Sequence, residues 1–333
     1  MKIMMISGIT GQIGSYCAEQ ALSKGYKVIG IKRRGSLNNT DRIDHIFNNT
    51  NLKLEYGDIT DFASMSKLIN QYKPDYFINC AAQSHVAISY VLPVNTFECT
   101  LMGTVNILEC IRQFSPETKF VTCSSSEQFG SSEATEENPQ TLQTPMLPVS
   151  PYSVAKLAAY NATINYRESF KLKTSNALLF NSESPRRGVN FFTIKVVKGL
   201  SRIKLGLQDK LLLGNLDSYR DFQHAYDSAS ALIEIVTSDK SGDYILATGK
   251  RIQMREFVKL VAKKLDLDWE KYIEISEAYI RPQEVNSLCG KDMVSENFPN
   301  WKRKYTFEEM LDEMIESEIK LAKKELFLKQ NGY

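Results

Sequence analysis

The chain has 333 residues, of which 43% are hydrophobic and 24% are charged, and its formal net charge is +2. This length allows a large buried core and about two domains. The near-neutral charge argues against a nucleic-acid partner, and no apolar run reaches the roughly 18 residues of a membrane span. We therefore expect neither nucleic acid nor a membrane as a partner.

Cysteine and histidine patterns give no sign of a metal site. The six cysteines contain no CxxC pair and lie mostly in apolar segments, which is typical of buried, reduced thiols in the cytoplasm. The three histidines lack metal-ligand spacing. The apolar part of the N-terminal "MKIMMISG" is too short for a signal peptide. We expect a cytoplasmic protein without a bound metal.

In the first half of the chain, short apolar runs alternate with amphipathic segments. Predicted strands cover 2–7, 27–32, 52–56, 75–80, 119–124 and 175–180. Predicted helices cover 12–24, 61–71, 95–114 and 152–169. This alternation predicts parallel βαβ units, and hence an α/β fold with a Rossmann-type, doubly wound parallel sheet. Right-handed crossovers place the carboxyl ends of the strands at one edge, where ligands bind.

After residue 180 the alternation stops, and "NSESPRRGVNFF" has the composition of a loop. A predicted helix at 193–206, a strand at 243–249 and helices at 253–265 and 306–325 follow. This irregular order predicts a smaller, mostly α C-terminal substrate-binding domain. We assign 1–180, with 215–250 returning to the sheet, to the first domain, and 181–214 with 251–333 to the second.

A glycine-rich turn follows the first predicted strand. The segment "SGITGQIG" places Gly8, Gly11 and Gly14 before the first predicted helix. Such glycines permit a tight turn and let a pyrophosphate approach the helix N-terminus, whose free N–H groups favour anions. A GxxGxxG pattern alone is weak evidence, but here its strand-turn-helix context is correct. It predicts dinucleotide binding by the first domain.

The end of the second strand indicates which dinucleotide binds. NAD sites usually have an acidic residue about 20 positions after the glycines, whereas this chain has Lys32, Arg33 and Arg34. Guanidinium groups pair with a 2′-phosphate through two parallel hydrogen bonds, so the cluster favours NADP; the alternative is a solvated basic loop. Asp58, after the third strand, either contacts the adenine or forms an ordinary strand-end turn.

Tyr152 and Lys156 in "SPYSVAK" lie four residues apart, on one face of a predicted helix. A free tyrosine, with a pKa of about 10, is a poor base, and lowering that pKa by about three units needs roughly 4 kcal/mol. A lysine ammonium together with a positive nicotinamide ring can supply this. The alternative is two unrelated residues on a helix. Their position after a dinucleotide fold and after "SSSEQFG" favours a catalytic pair.

These motifs together resemble the extended short-chain dehydrogenase/reductase family. Within it the chain is most similar to the GDP-mannose 4,6-dehydratases, through "GITGQIGSY", "AAQSHV", "SSSEQFG", "SPYSVAK", "FNSESPRRG", "GNLDSYRD" and "IRPQEV" in that order. The resemblance covers nearly the whole chain. It implies an NADP-dependent enzyme that converts a GDP-sugar, by default GDP-mannose, to the GDP-4-keto-6-deoxy sugar.

The resemblance also implies catalytic roles. Tyr152, beside Lys156, takes the C4 hydroxyl proton; Glu127 then removes the C5 proton, water leaves from C6, and the hydride returns to C6. Ser125 stands where the family usually has threonine, and its hydroxyl can hydrogen-bond the C4 oxygen with looser positioning. C4 oxidation or epimerisation without dehydration, the alternative on this scaffold, needs no base at Glu127.

Further binding residues follow from the resemblance alone. Implied cofactor contacts are Thr10, Gln12, Ile13, Ile59, Ala81 and Ala82. Implied substrate contacts are Ser84, His85, Ser126, Asn181, Ser182, Glu183, Arg187, Lys195, Arg220, Arg281 and Glu284. Arg220 and Arg281 are natural diphosphate clamps, since a planar fork matches phosphate oxygens. For any single one of Asn181, Arg187, Lys195, Arg220, Arg281 and Glu284, the alternative is an ordinary polar or charged surface residue.

Two departures from the family pattern affect the expected substrate. Ile13 replaces the usual aspartate, and Ser182 replaces the usual histidine; a smaller side chain there favours a bulkier sugar, so GDP-N-acetylglucosamine and a GDP-heptose are alternatives to GDP-mannose. The resemblance also implies a homodimer through helices 95–114 and 152–169, or a homotetramer built partly by "RRGSLNNTDRI". A non-catalytic NADP sensor is a further alternative, which the intact Tyr152–Lys156 pair disfavours.

Overall fold

The computed structural model describes residues 1–332 and is built around a seven-stranded parallel sheet. In chain order the strands are β1 (Ile3–Ser7), β2 (Lys27–Lys32), β3 (Leu52–Tyr56), β4 (Tyr76–Asn79), β5 (Lys119–Ser125), β6 (Thr174–Leu179), β7 (Asn181–Glu183), β8 (Leu211–Leu213), β9 (Tyr219–Arg220), β10 (Phe222–His224), β11 (Asp243–Leu246), β12 (Ile252–Gln253) and β13 (Ile273–Ile275). The central sheet has the order β11-β6-β5-β4-β1-β2-β3. This confirms the predicted doubly wound α/β fold.

The α-helices cover both faces of the central sheet or belong to a second layer at the carboxyl edge of that sheet. They are α1 (Gln12–Ser23), α2 (Phe62–Tyr72), α3 (Val86–Val91), α4 (Pro93–Phe97), α5 (Gly103–Phe114), α6 (Pro151–Phe170), α7 (Phe192–Lys204), α8 (Ala225–Thr237), α9 (Met254–Lys264), α10 (Trp269–Tyr272), α11 (Met293–Asn297) and α12 (Phe307–Gln330). Neighbouring residues of β1 point to opposite faces. Met4 therefore packs with α1 and α8, while Met5 packs with α2 and α5.

A second layer lies at the carboxyl edge of the sheet. It contains the short pairs β7–β10, β8–β13 and β9–β12, together with α7, α9 and α12. Its own apolar core joins Ile194, Phe257 and Met314, one residue from each of these helices. β11, which lies between segments of this layer in the sequence, pairs in parallel with β6 of the central sheet. The exact domain limits given above stay a prediction.

Two regions differ from the sequence-based expectation. The predicted helix 95–114 is wrong as a single element, because α4, a π-helical segment (Glu98–Met102) and α5 replace it. At its last junction Gly103 lies against Ile59, where an added Cβ would be too close to that side chain. The helix α8 was not predicted. Nine of its 13 residues are buried, including the polar Asp227 and Ser228, so the half-buried stripe of Tyr226, Ser230, Glu234 and Thr237 does not stand out in the sequence.

No helix within residues 1–332 has both the length and the apolar character needed to cross a membrane. All six cysteines are free thiols, and four of them are buried.

The carboxylate of Asp221 joins three segments behind the carboxyl edge of the sheet. It is fully buried and accepts the backbone N–H groups of Thr248, Gly249 and Gly290, at 2.9 to 3.4 Å, and the hydroxyl of Thr248 at 2.6 Å. Burial raises the pKa of Asp221 to about 6, although these hydrogen bonds act in the opposite direction. The residue thus fixes the exit of β11 against the second layer.

We expect Asp221→Ala to lower the free energy of unfolding by about 3 kcal/mol, because it leaves buried N–H groups without an acceptor. Urea unfolding followed by circular dichroism measures this loss. Asp217→Ala is the matched control, since the exposed Asp217 carboxylate only pairs with Arg255 at the surface; we expect a change within about 0.5 kcal/mol. Equal effects of the two variants would contradict the assignment.

Candidate functional site

A cleft of about 1240 Å³ runs along the carboxyl edge of the central sheet, between the two layers. It is lined by every residue predicted above for catalysis, cofactor binding or substrate binding except Arg34. Parallel strands end at this edge, which is why residues distant in sequence meet here. Arg34 is exposed and lies outside the cleft, so its predicted role is not supported by its position.

The glycine turn has the geometry that the sequence predicts. Gly8 has a φ of +67°, and the Gly11 N–H donates to its carbonyl at 2.9 Å. An added Cβ on Gly14 would overlap the Gly8 carbonyl oxygen, so the helix approaches the turn closely. α1 begins after Gly11 with no side-chain cap on its first N–H groups. The uncapped first turn, facing a large cleft, therefore fits a pyrophosphate.

The side chain of Gln12 serves another purpose than cofactor contact. Its Nε2 donates to the Ser182 carbonyl at 2.8 Å, and its Oε1 accepts the Ser184 hydroxyl at 2.9 Å. These bonds hold the start of α1 against β7 of the second layer. Ile13 packs against the apolar core beside the sheet. Both residues therefore offer the cleft mainly their backbone.

The basic end of the cleft contains Arg33 and also Arg42, which sequence reasoning missed. Arg42 donates to the Arg186 carbonyl at 2.8 Å and to the Thr10 carbonyl at 3.3 Å. It follows the second strand in a loop with no recognisable pattern, so no local signal marked it. Its guanidinium brings a second positive charge to the end where Arg33 lies.

Asp58 lies at the same end and forms a local turn. Its Oδ1 accepts both the backbone N–H of Thr60 at 2.9 Å and the Thr60 hydroxyl at 2.8 Å. These are the bonds of an Asx turn, and they match the strand-end alternative. The residue also lines the cleft, as do Ile59, Ala81 and Ala82.

Tyr152 and Lys156 are both buried on the first turns of α6, which begins after a capping box at Ser150. The Lys156 Nζ donates to the Cys123 carbonyl at 2.5 Å and lies 5.9 Å from the centroid of the Tyr152 ring. Burial raises the pKa of Tyr152 to about 12, with the Ser125 hydroxyl acting in the opposite direction. Burial also lowers the pKa of Lys156. Lys156 is thus oriented by β5, and burial dominates over its charge at the phenol.

The serine-rich end of β5 turns Glu127 into the cleft. The strand ends at Ser125, and a 3₁₀ turn covers Ser126–Phe129. The Ser125 hydroxyl accepts the Glu127 N–H at 3.2 Å. The turn closes at Gly130, whose φ is +54° and where an added Cβ would overlap the Leu147 carbonyl. A short, fixed turn therefore places the Glu127 carboxylate beside Tyr152, whose pKa it acts to raise.

Four charged residues meet at the centre of the cleft. Glu127 Oε1 lies 3.6 Å from Arg281 Nη1, and the Arg281 backbone N–H donates to Glu284 Oε1 at 3.2 Å. The buried Arg220 donates to the carbonyls of its neighbour Tyr219 at 2.8 Å and of Val285 at 2.9 Å. Burial lowers the pKa of Arg220, and the Glu127 charge opposes that change. Two guanidiniums thus lie together where an anionic group can enter.

The remaining predicted substrate residues form the wall opposite the sheet. Buried Glu183 accepts the Thr193 hydroxyl and pairs with Arg187 Nε at 3.3 Å; burial raises the pKa of Glu183, and Arg187 opposes this. Lys195 lies over the ring of Tyr279, another cleft residue that sequence reasoning missed. Further residues of this wall and its rim are Ser84, His85, Ser126 and Asn181.

The hydroxyl of Ser182 is used inside the protein. It lies 2.7 Å from the Ser228 hydroxyl of α8, and Gln223 Nε2 donates to that same hydroxyl at 3.0 Å. Gln223 also faces Ser182 in the β7–β10 pair. Ser182 therefore has a structural role between β7 and α8, and its hydrogen bonds give no support to a wider sugar pocket.

Sequence comparison gives a match over nearly the whole chain. The family model described as GDP-mannose 4,6 dehydratase matches residues 5–314. A GDP-mannose 4,6-dehydratase of Yersinia enterocolitica is 40% identical, with 100% of this chain and 98% of that protein covered. GDP-mannose 4,6 dehydratase 2 of Arabidopsis thaliana is 42% identical, with 100% and 91% covered.

Solved structures share the fold at lower identity. The dTDP-glucose 4,6-dehydratase of Bacillus anthracis in complex with NAD superposes with a TM-score of 0.83 at 23% identity, covering 96% of this chain and 97% of that one. A UDP-glucose 4-epimerase of Thermus thermophilus in complex with NAD gives a TM-score of 0.81 at 23% identity, covering 95% and 98%. At this identity the likeness establishes the fold alone.

Proposed function

Because the chain belongs to the GDP-mannose 4,6-dehydratase family, we propose that it dehydrates GDP-mannose to the GDP-4-keto-6-deoxy sugar with NADP as cofactor. One observation carries the proposal: a buried Tyr152–Lys156 pair and the Glu127 carboxylate share one cleft. Oxidation at C4 needs only the pair. Removal of the C5 proton needs a second base, and Glu127 is the carboxylate that we propose for this role.

The first turn of α1 would hold the pyrophosphate of NADP, and Arg33 with Arg42 would pair with its 2′-phosphate. The bound cofactor would supply the hydride acceptor for sugar C4 and the hydride donor for C6. Lys156, held by the Cys123 carbonyl, lies beside the phenol, where its ammonium form would favour the phenolate, although burial lowers the pKa of Lys156. The cofactor end is thus built from backbone N–H groups and guanidiniums, which suit a phosphate-rich ligand.

Tyr152 Oη accepts the proton of the C4 hydroxyl, and the Ser125 hydroxyl hydrogen-bonds the C4 oxygen. The resulting C4 ketone acidifies the C5 proton. The Glu127 carboxylate can then take that proton as a general base. Protonated Glu127 passes this proton to the C6 hydroxyl, which leaves as water while a C5–C6 double bond forms. Two bases at fixed positions therefore act in sequence on neighbouring carbons.

Arg220 and Arg281 would hold the diphosphate, and Glu284 would accept hydrogen bonds from the ribose or base. Arg187 is held by Glu183 and Lys195 by the Tyr279 ring, which places both cations on the same wall. We also propose a cytoplasmic homodimer or homotetramer. Val91, Val94, Met102 and Val154, on or beside the predicted dimer helices, are exposed apolar residues that such an interface would cover.

The direct test incubates the purified protein with GDP-mannose and catalytic NADP, without added reductant, and follows product masses. We expect the loss of one water molecule, because the hydride is returned within each turnover. GDP-N-acetylglucosamine and a GDP-heptose are incubated in parallel. They test whether a bulkier sugar is the substrate, as the small side chain of Ser182 suggested. A product lacking two hydrogen atoms, formed only with stoichiometric NADP, would mean C4 oxidation and would contradict the proposal.

Glu127→Gln separates dehydration from simple oxidation. We expect the rate of water loss to fall about a thousandfold, because a neutral amide cannot accept the C5 proton, while C4 oxidation at the Tyr152–Lys156 pair persists. Single-turnover mass spectrometry measures both steps. Glu133→Gln, on the exposed loop that follows, is the control and should dehydrate at the wild-type rate. Unchanged water loss in Glu127→Gln would favour the epimerase or oxidase alternative.

Cofactor choice can be tested with a matched pair of neighbouring arginines. We expect Arg33→Ala to weaken NADP binding about tenfold and leave NAD binding unchanged, because only NADP carries the 2′-phosphate. Arg34→Ala should change neither, since Arg34 lies outside the cleft. Fluorescence titration with both dinucleotides measures the four dissociation constants. Equal loss of NAD and NADP binding in Arg33→Ala would contradict a 2′-phosphate contact.

A further inference from the structure

Two opposite charges face each other in the cleft without a hydrogen bond between them. Glu127 Oε1 lies 3.6 Å from Arg281 Nη1. Glu127 Oε2 and Arg281 Nη1 are both buried and lack a hydrogen-bond partner among residues 1–332. At this separation the two groups attract each other, but they do not make the short contact of a charge-assisted hydrogen bond. A better partner can therefore replace either of them.

Arg281 is anchored through its backbone, which leaves its guanidinium free to move. Its N–H donates to Glu284 Oε1, and its side chain is 30% exposed, against 13% for Glu127. A ligand entering the cleft can thus reach the guanidinium. Arg220 differs, because its guanidinium already donates to two backbone carbonyls and is almost fully buried.

The other titratable groups around Glu127 do not take over the role of Arg281. Tyr90 of α3 and Tyr152 of α6 are both within charge range, and burial raises the pKa of each, so both are neutral at pH 7. Arg220 of β9 is a further positive charge in range. Among the described residues, Arg281 is the cation that lies within 4 Å of the Glu127 carboxylate.

We propose that Arg281 is a positioning residue that holds Glu127 until the diphosphate of the nucleotide-sugar takes its guanidinium. The inference rests on the proposed function, which supplies both the diphosphate and the need for a base. Two phosphate oxygens give a planar guanidinium two short, parallel hydrogen bonds, and these displace a contact of 3.6 Å. Glu127 then loses its close cation, and its carboxylate is free to turn toward the C5 proton. Release of Glu127 toward C5 is thereby tied to the seated substrate.

This exchange makes Glu127 a competitor of the diphosphate for Arg281, and GDP binding alone reports the competition. The experiment is a double-mutant cycle by calorimetry at saturating NADP, with GDP as the probe, on wild type, Glu127→Gln, Arg281→Gln and the double variant. We expect the Glu127→Gln variant to bind GDP about tenfold more tightly than wild type. In this variant the Arg281 guanidinium faces no carboxylate and is free to bind the diphosphate from the start. In the Arg281→Gln background the same substitution should change the dissociation constant less than twofold.

Arg281→Lys is the charge-retaining control, and it should restore most of the tenfold effect of Glu127→Gln although its own GDP affinity is lower. An equal gain from Glu127→Gln in both backgrounds would mean simple repulsion between Glu127 and phosphate, and would overturn the inference. If Glu127→Gln raised the affinity for GDP in neither background, the inference would also be overturned. Both results leave the dehydration of GDP-mannose intact, because that is established by product mass. Absence of GDP binding in all four proteins would overturn the proposed substrate and the inference together.

Discussion

The two hydrogen bonds of the Gln12 amide hold the cofactor turn against the strand that carries the substrate residues. Gly11 and Gly14 lie beside Gln12 in the first layer, and Ser182 and Ser184 belong to the second. This link, together with Arg42 and Asp221, keeps the glycine turn and the substrate residues in one relative position. Hydride transfer needs the two reacting carbons in contact, so the junction between the layers is a requirement of the chemistry.

The cleft tolerates many charges because its substrate-side cations are already paired within the protein. Each predicted substrate-binding cation has a partner before any substrate enters: Arg187 pairs with Glu183, Lys195 lies over the Tyr279 ring, Arg281 faces Glu127, and Arg220 donates to two backbone carbonyls. A buried charge without a partner is costly, whereas a loosely paired one is both tolerated and available. The longest of these ion pairs is the one between Arg281 and the proposed base.

Much of the central sheet could be predicted from sequence because its strands are short, apolar and separated by amphipathic helices of ordinary length. The six strands predicted up to residue 180 all exist, with ends that differ by one residue at most, and the strand predicted at 243–249 is β11, which ends at Leu246. The prediction failed for elements whose form depends on tertiary packing. Two polar residues of α8, Asp227 and Ser228, are buried, which masks its narrow half-exposed stripe, and the π-helical segment before α5 coincides with the close approach of Gly103 to Ile59. Arg42 reaches the cleft from a loop and Tyr279 from a short 3₁₀ helix, and no periodicity marks either residue.

The raised pKa of Tyr152 determines when this residue can act as a base. Burial raises it to about 12, so ionising the phenol at pH 7 in the protein alone costs about 7 kcal/mol. Lys156 cannot remove this cost from 5.9 Å, since burial also disfavours its own charge. The phenol therefore stays protonated until further positive charge enters the cleft. Together with a Glu127 carboxylate that faces Arg281 at 3.6 Å, this means that both proposed bases await a bound partner: the phenol a positive charge, and the carboxylate a ligand that takes the Arg281 guanidinium.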